Sequence, residues 1–112
     1  MISSVPRAAT TSDPFNAVAE PRRREILDYL APAEHSVGEI ATMLGASQPS
    51  ISKHLNVLRN VGLVHVRRDG KNVLYRTNAD ALRPLHEWTG TFQRYWGRQL
   101  RRIQAHAEAK EK

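Results

Sequence analysis

Residues 45–63 read GASQPSISKHLNVLRNVGL, and the fold turns on them. Wound as a helix, the stretch sets Ile51, Leu55 and Leu58 on one face, as a core requires. With Ile51 as the inward direction, Lys53 points almost directly away and Pro49, Ser50 and Asn56 lie beside it. Gln48, Ser52 and His54 fall nearer the flanks. The outer side is therefore a crowd of hydrogen-bonding groups without a carboxylate. Ser47 is placed to cap the helix, with Pro49 inside a first turn where a missing N–H has no intrahelical partner.

Just upstream, Ser36-Val37-Gly38-Glu39 fits a capping box, and Val37, Ile40, Ala41 and Leu44 follow as an apolar stripe at i, i+3, i+4 and i+7. Gly45 supplies the left-handed residue that ends this helix. Two helices joined by a tight glycine turn make a helix-turn-helix, and small Ala41 lets them approach closely. Before them, DPFNAVAEP predicts a short first helix with Phe15, Val18 and Ala19 on one side. Pro21 then opens a second helix, with Ile26, Leu27 and Leu30 inward and Arg23, Arg24, Glu25 and Asp28 in solvent.

After Gly62 the period changes to alternation. LVHVRRDGKNVLYRT predicts two strands around Asp69-Gly70, a dipeptide suited to a type I′ turn. A two-residue turn there sets Val66 opposite Val73 and Val64 opposite Tyr75 on the core side, with Arg67, Asn72 and Arg76 outward and Lys71 near the tip. Such a hairpin is a wing. One long helix is predicted over much of 84–107, because Leu85, Trp88, Phe92, Trp96, Leu100 and Ile103 recur every three or four residues. The fold class expected is mainly α with a β-hairpin wing, a winged helix-turn-helix of about five helices.

With 112 residues the chain holds one small domain, expected over 13–107, between a flexible arm at 1–12 and a flexible tail at 108–112. One small domain covers only part of the Leu85–Ile103 stripe, so the stripe, with Tyr95 beside it, is read as core shared between two subunits. The formal charge is +6. Between Ser47 and Arg76 lie Lys53, Arg59, Arg67, Arg68, Lys71 and Arg76 against Asp69 alone, a net +5 that leaves +1 for the rest. A field so concentrated suits a polyanion. Cysteine is absent, which excludes disulfides, thiolate metal sites and thiol redox switching. No apolar run approaches the roughly 20 residues of a membrane span, and the first residues lack signal-peptide order. A cytoplasmic protein without membrane association is expected.

A helix entering the major groove of DNA needs an apolar side to seat it and, opposite, donors and acceptors matched to base edges and phosphates. Residues 47–56 supply both. Gln48 suits an adenine edge, Lys53 guanine or phosphate, and Ser50 and Ser52 either bases or phosphates. Arg67, Arg68, Lys71 and Arg76 suit the backbone or minor groove beside the site. Simpler roles exist for single residues: Ser47 as a cap, His54 as a neutral side chain packed beside the hairpin, Asn56 as ordinary surface, Asp69 as a turn residue. The concentration on one acid-free face is what simple roles do not predict.

The segment SVGEIATMLGASQPSISKHLNVLRNVGLVHVRRDGKNVLYR resembles the DNA-binding core of the ArsR/SmtB-type winged-helix repressors of bacteria, and the likeness runs from about Pro14 to Arg76. It implies a homodimer whose subunit contact comes from the first helix, here Phe15 and Val18, and from the long C-terminal helix. It further implies that the fourth helix reads a palindromic operator in double-stranded DNA, usually to repress and often at the protein's own operon. Thiolate sensors of this family carry Cys-x-Cys where Ser36 and Gly38 stand. Zinc sensors carry Asp-x-His…His-x-x-His/Glu, and counting from His86 the other positions are Pro84, Gly97 and Leu100. One ligand of four does not hold zinc. No metal and no cofactor is therefore expected, His86 and His106 being read as surface, interface or tail residues. The aromatic last helix resembles a metal-independent branch, whose effector the sequence does not reveal. A metal-responsive repressor with a non-standard His/carboxylate site and a winged helix that binds only proteins are the alternatives. An enzyme is not expected: Glu25 and Asp28, or Glu34, His35 and Glu39, come without a phosphate loop or an activated nucleophile.

Overall fold

The computed structural model describes residues 13–111, so the arm expected at 1–12 lies outside the described residues. Two compact units divide the chain, the first ending at Leu82 and the second beginning at Arg83. In the first unit, α1 (Pro14–Ala17) and α2 (Pro21–Leu30) lead into β1 (His35–Ser36), α3 (Val37–Leu44) and α4 (Gln48–Asn60). The wing follows as β2 (Val64–Asp69) and β3 (Asn72–Thr77), and a 3₁₀ turn (Ala79–Leu82) closes the unit.

The core forms where helix faces of period 3.6 converge. Ile26 and Leu30 of α2, Ile40 of α3, Ile51 and Leu58 of α4, and Leu63 beyond it are completely buried. The capping box closes as the sequence predicts: the Ser36 N–H donates to Glu39 Oε1 at 2.9 Å, and the Glu39 N–H to Ser36 Oγ at 3.2 Å.

The first helix differs from its expectation. Asp13 caps it, accepting from the Phe15 N–H at 3.0 Å, but it makes only one turn. Ala17 is its buried residue, while Phe15 and Ala19 are exposed and Val18 packs partly against the core. One turn has no second layer with which to build the predicted stripe. Of two arginines expected in solvent, Arg24 is exposed and Arg23 half-buried, and both donate to carbonyls at the end of α1. Arg23 Nε donates to Ala17 O at 2.6 Å and Nη2 to Asn16 O at 3.4 Å, while Arg24 Nη1 donates to Val18 O at 2.7 Å. Arg22 does the same for α3, donating to Leu44 O at 3.1 Å.

The sheet has three strands in the order β1-β3-β2, all pairs antiparallel, where two strands were expected. Its register also corrects the expectation: Val66 opposes Tyr75 rather than Val73, and Val64 opposes Thr77 rather than Tyr75. Asp69 pairs with Asn72, so the turn is Gly70-Lys71. Gly70, at φ +62, supplies the positive dihedral that the first turn position needs. The slip moves each partner by two residues, so every side chain keeps its predicted face. The base of the wing is tied down where Thr77 Oγ1 donates to Leu27 O at 2.7 Å and Asn78 Nδ2 to Gly62 O at 3.0 Å.

The second unit holds α5 (Arg83–Gly90) and α6 (Gln93–Glu111), two helices where one was predicted. The break follows Thr89-Gly90-Thr91. Thr89 and Thr91 hydroxyls turn back onto the carbonyls of His86 and Trp88, at 3.1 and 2.8 Å, and glycine between them loses most entropy in a helix. The aromatics continue across it: Trp88 meets Phe92 edge to face with centroids 5.6 Å apart, and Phe92 stacks on Trp96 at 6.4 Å. Among the described residues of this unit none is buried.

Candidate nucleic-acid interface

The turn that aims α4 is fixed at three points. Gly45 takes φ +64 at the end of α3, the Ala46 N–H donates to Ala41 O at 3.0 Å, and Ser47 Oγ accepts from the Ser50 N–H at 3.3 Å. Ile51, Leu55 and Leu58 then seat the helix in the core. Rotation about that seat leaves Ser47, Gln48, Ser52, Lys53 and Asn56 exposed and Ser50 half-buried. All face outward from one short helix with no acid among them. Gln48 rests back towards α3, its Nε2 3.6 Å from where a side chain on residue 38 would begin, an ordinary contact distance. Beneath it opens a cavity of about 450 Å³ between Tyr29, Glu39, Thr42 and Met43.

His54 is half-buried, and its surroundings are the start of α2. Burial pushes its pKa below the usual imidazole value, and Arg23, Arg22 and Lys53 push the same way against an opposing pull from Glu20. The neutral ring is thus favoured in the free protein.

On the wing, alternation divides the cations. Arg68 shares the face of Val64 and Val66, whereas Arg67 and Arg76 lie on the other. Lys71 sits in the turn, and all four are exposed. Arg67 is already engaged: its Nε donates to Glu34 Oε2 at 3.1 Å and its Nη2 to Oε1. The hydrogen bond from Arg67 holds the Glu34 carboxyl below the usual carboxylate range, helped by the charges of Arg67 and Arg76. Sequence reasoning missed this partner because it comes from 33 positions earlier in the chain. The readable signal was weak: a two-residue strand whose pairing with β3 carries residue 34 to the wing.

The residues read as a subunit contact fall in both units. Phe15 is exposed in the first; Trp88, Phe92, Tyr95, Trp96 and Ile103 are exposed in the second, and Leu85 is half-buried. The side chains of Leu100 and His106 lie outside the described residues. Arg94 covers the Tyr95 ring at 4.9 Å from its centroid. Among the described residues, no three His, Asp or Glu side chains converge on a point that would hold a metal.

The model of the arsR family of bacterial regulatory proteins matches residues 20–66, from the start of α2 into the first wing strand. The transcriptional repressor SdpR of Bacillus subtilis is 36% identical over 78 residues, covering 70% of this chain and 87% of SdpR. The chain belongs to the ArsR family. An ArsR-like transcriptional regulator from Rhodococcus superposes with a TM-score of 0.65 at 32% identity, over 86% of this chain and 91% of that one. A Mycobacterium bovis protein, described as a homodimeric winged helix-turn-helix DNA-binding domain, superposes with a TM-score of 0.60 at 34% identity, over 76% and 79%. For several other relatives the match spans 55% to 63% of their length.

Membership of the ArsR family makes the chain a transcriptional regulator of winged helix-turn-helix type and not an enzyme. The matched segment contains the outward face of α4, while Arg67, Lys71, Arg76 and the whole second unit lie beyond it.

Proposed function

We propose that this ArsR-family chain acts as a homodimeric repressor that reads a palindromic operator in its own or a neighbouring operon, independently of metal and in the cytoplasm. The observation that carries the reading is the outward face of α4: Gln48, Ser50, Ser52, Lys53 and Asn56 presented together, acid-free, on a helix seated by three buried aliphatic residues. In this reading α4 enters the major groove with Gln48, Ser50 and Lys53 at base edges. Ser47 and the helix N-terminus take a phosphate, and Arg68, Lys71 and Arg76 bind the flanking backbone or minor groove. The exposed aromatic stripe supports pairing of two copies, as does the homodimeric state described for the Mycobacterium bovis domain. A two-fold dimer separates its reading helices by about 34–36 Å, one turn of duplex. Repression is supported by the name of SdpR. Among the described residues no helix is long and apolar enough to cross a membrane.

Retention on heparin, followed by a mobility shift of DNA from the protein's own upstream region, tests the proposal. The expected shift weakens steeply as salt rises. A protein that shifts no duplex even at low salt is an interaction module and not an operator reader.

A further inference from the structure

Glu34 lies in the loop between α2 and β1. Extending the pairing of His35 with Tyr75 by one residue sets it beside Arg76, on the face of the wing that carries Arg67. Successive arginines on β2 are thereby sorted: Arg68 goes to one face, while Arg67 goes to the face where a carboxylate waits. The contact is fork to fork, two donors of one guanidinium on two oxygens of one carboxylate. Both side chains stay accessible, Arg67 at 55% and Glu34 at 33%, so the pair adds little to holding the fold together. Its larger effect is on the field. A wing that carries Arg67, Arg68, Lys71 and Arg76 has one of those charges cancelled in place, while the acid-free face of α4 is left untouched.

Resting on the DNA-binding reading above, we propose that Glu34 attenuates the wing: its two-point hold on Arg67 removes one cation from the sequence-independent attraction to DNA phosphate, which lowers affinity for every duplex while discrimination stays with α4. Phosphate contacts raise affinity for every sequence alike, and specificity is the difference between operator and random duplex. An internal anion on the wing lowers the shared part of both.

The test uses the full chain and two duplexes, one recovered by binding-site selection with the unaltered protein and one of random sequence, titrated at several salt concentrations. Glu34→Gln keeps the size of the side chain and an acceptor for Arg67 but removes the charge. The variant is expected to bind the random duplex about two- to fivefold more tightly at low salt. Its log–log salt dependence should steepen by about 0.9, one further phosphate neutralised. The selected duplex should gain by the same factor, so the ratio of the two affinities stays unchanged. Combining Glu34→Gln with Arg67→Ala removes both charges and should restore the original slope. Unchanged or weaker binding by Glu34→Gln to both duplexes overturns the proposal and leaves Glu34 as a brace for the wing. A gain confined to one of the two duplexes overturns it as well, because the freed Arg67 would then be reading sequence and not phosphate. If the unaltered protein binds neither duplex, or Lys71→Ala binds as well as the parent, the DNA-binding reading itself fails and takes this proposal with it.

Discussion

In the proposed interface Gln48 and Lys53 leave the same short helix with different chemistry. Gln48 carries a paired donor and acceptor that match an adenine edge, whereas Lys53 brings charge. Substituting Gln48 or Ser50 by Ala should relax base preference at one position, by about 1–3 kcal/mol of discrimination for a lost bidentate contact. Arg68→Ala or Lys71→Ala should weaken binding to every sequence and flatten the salt dependence by about one phosphate. Anisotropy titrations on selected and scrambled duplexes separate the two. A uniform effect from all four would describe an architectural binder. His54 adds a pH dependence whose sign follows from burial. Its folded pKa lies below the usual imidazole value of about 6.5, so the unfolded chain takes up the proton first. The associated stability is present above about pH 6.5 and is lost as pH falls through the folded pKa. Urea midpoints measured between pH 7 and 5 should therefore drop more for the parent than for His54→Gln.

At the scale of elements, local chemistry decided what was readable. The capping box of α3 rests on Ser36 and Glu39 three positions apart, and Ser36→Ala should cost about 1 kcal/mol in chemical denaturation. Capping signals of this kind, the apolar faces of α3 and α4, and the glycine between them all lie within a few residues of what they control, so the helix-turn-helix was legible. The wing was legible as alternation, but its register was not. Asp69-Gly70 and Gly70-Lys71 both offer a glycine, and only pairing of Asp69 with Asn72 selects the second. The break between α5 and α6 was written in Thr89-Gly90-Thr91, yet the aromatic stripe runs on through it and hid the signal. Strand β1 and the contact between Glu34 and Arg67 depend on residues more than thirty positions apart, which no periodicity encodes. In the candidate site, the face of α4 followed from the helical period alone, whereas the cancelled charge on the wing did not.

Among the described residues, the second unit exposes large aromatic side chains. Trp88 is 56% exposed and Phe92 40%, side by side in the second unit. Ring faces of this size seldom stay wet on a protein that remains single. Trp88→Ala or Phe92→Ala should weaken self-association, and operator affinity with it, because a palindrome rewards two linked reading heads. Sedimentation of each variant across a concentration series reads the first effect and titration with a palindromic duplex the second. A strictly monomeric parent that still holds such a duplex tightly would remove the dimer from the account.

The guanidinium groups at the end of α1 have a consequence for how substitutions in this chain should be judged. Arg23 reaches two successive main-chain oxygens from two different nitrogens of one rigid plane. Lysine at position 23 would preserve every electrostatic tally while offering a single tetrahedral head, unable to span both acceptors in that geometry. A conservative exchange on paper is thus a loosened joint in the molecule, and formal charge is a poor guide to which basic positions tolerate drift.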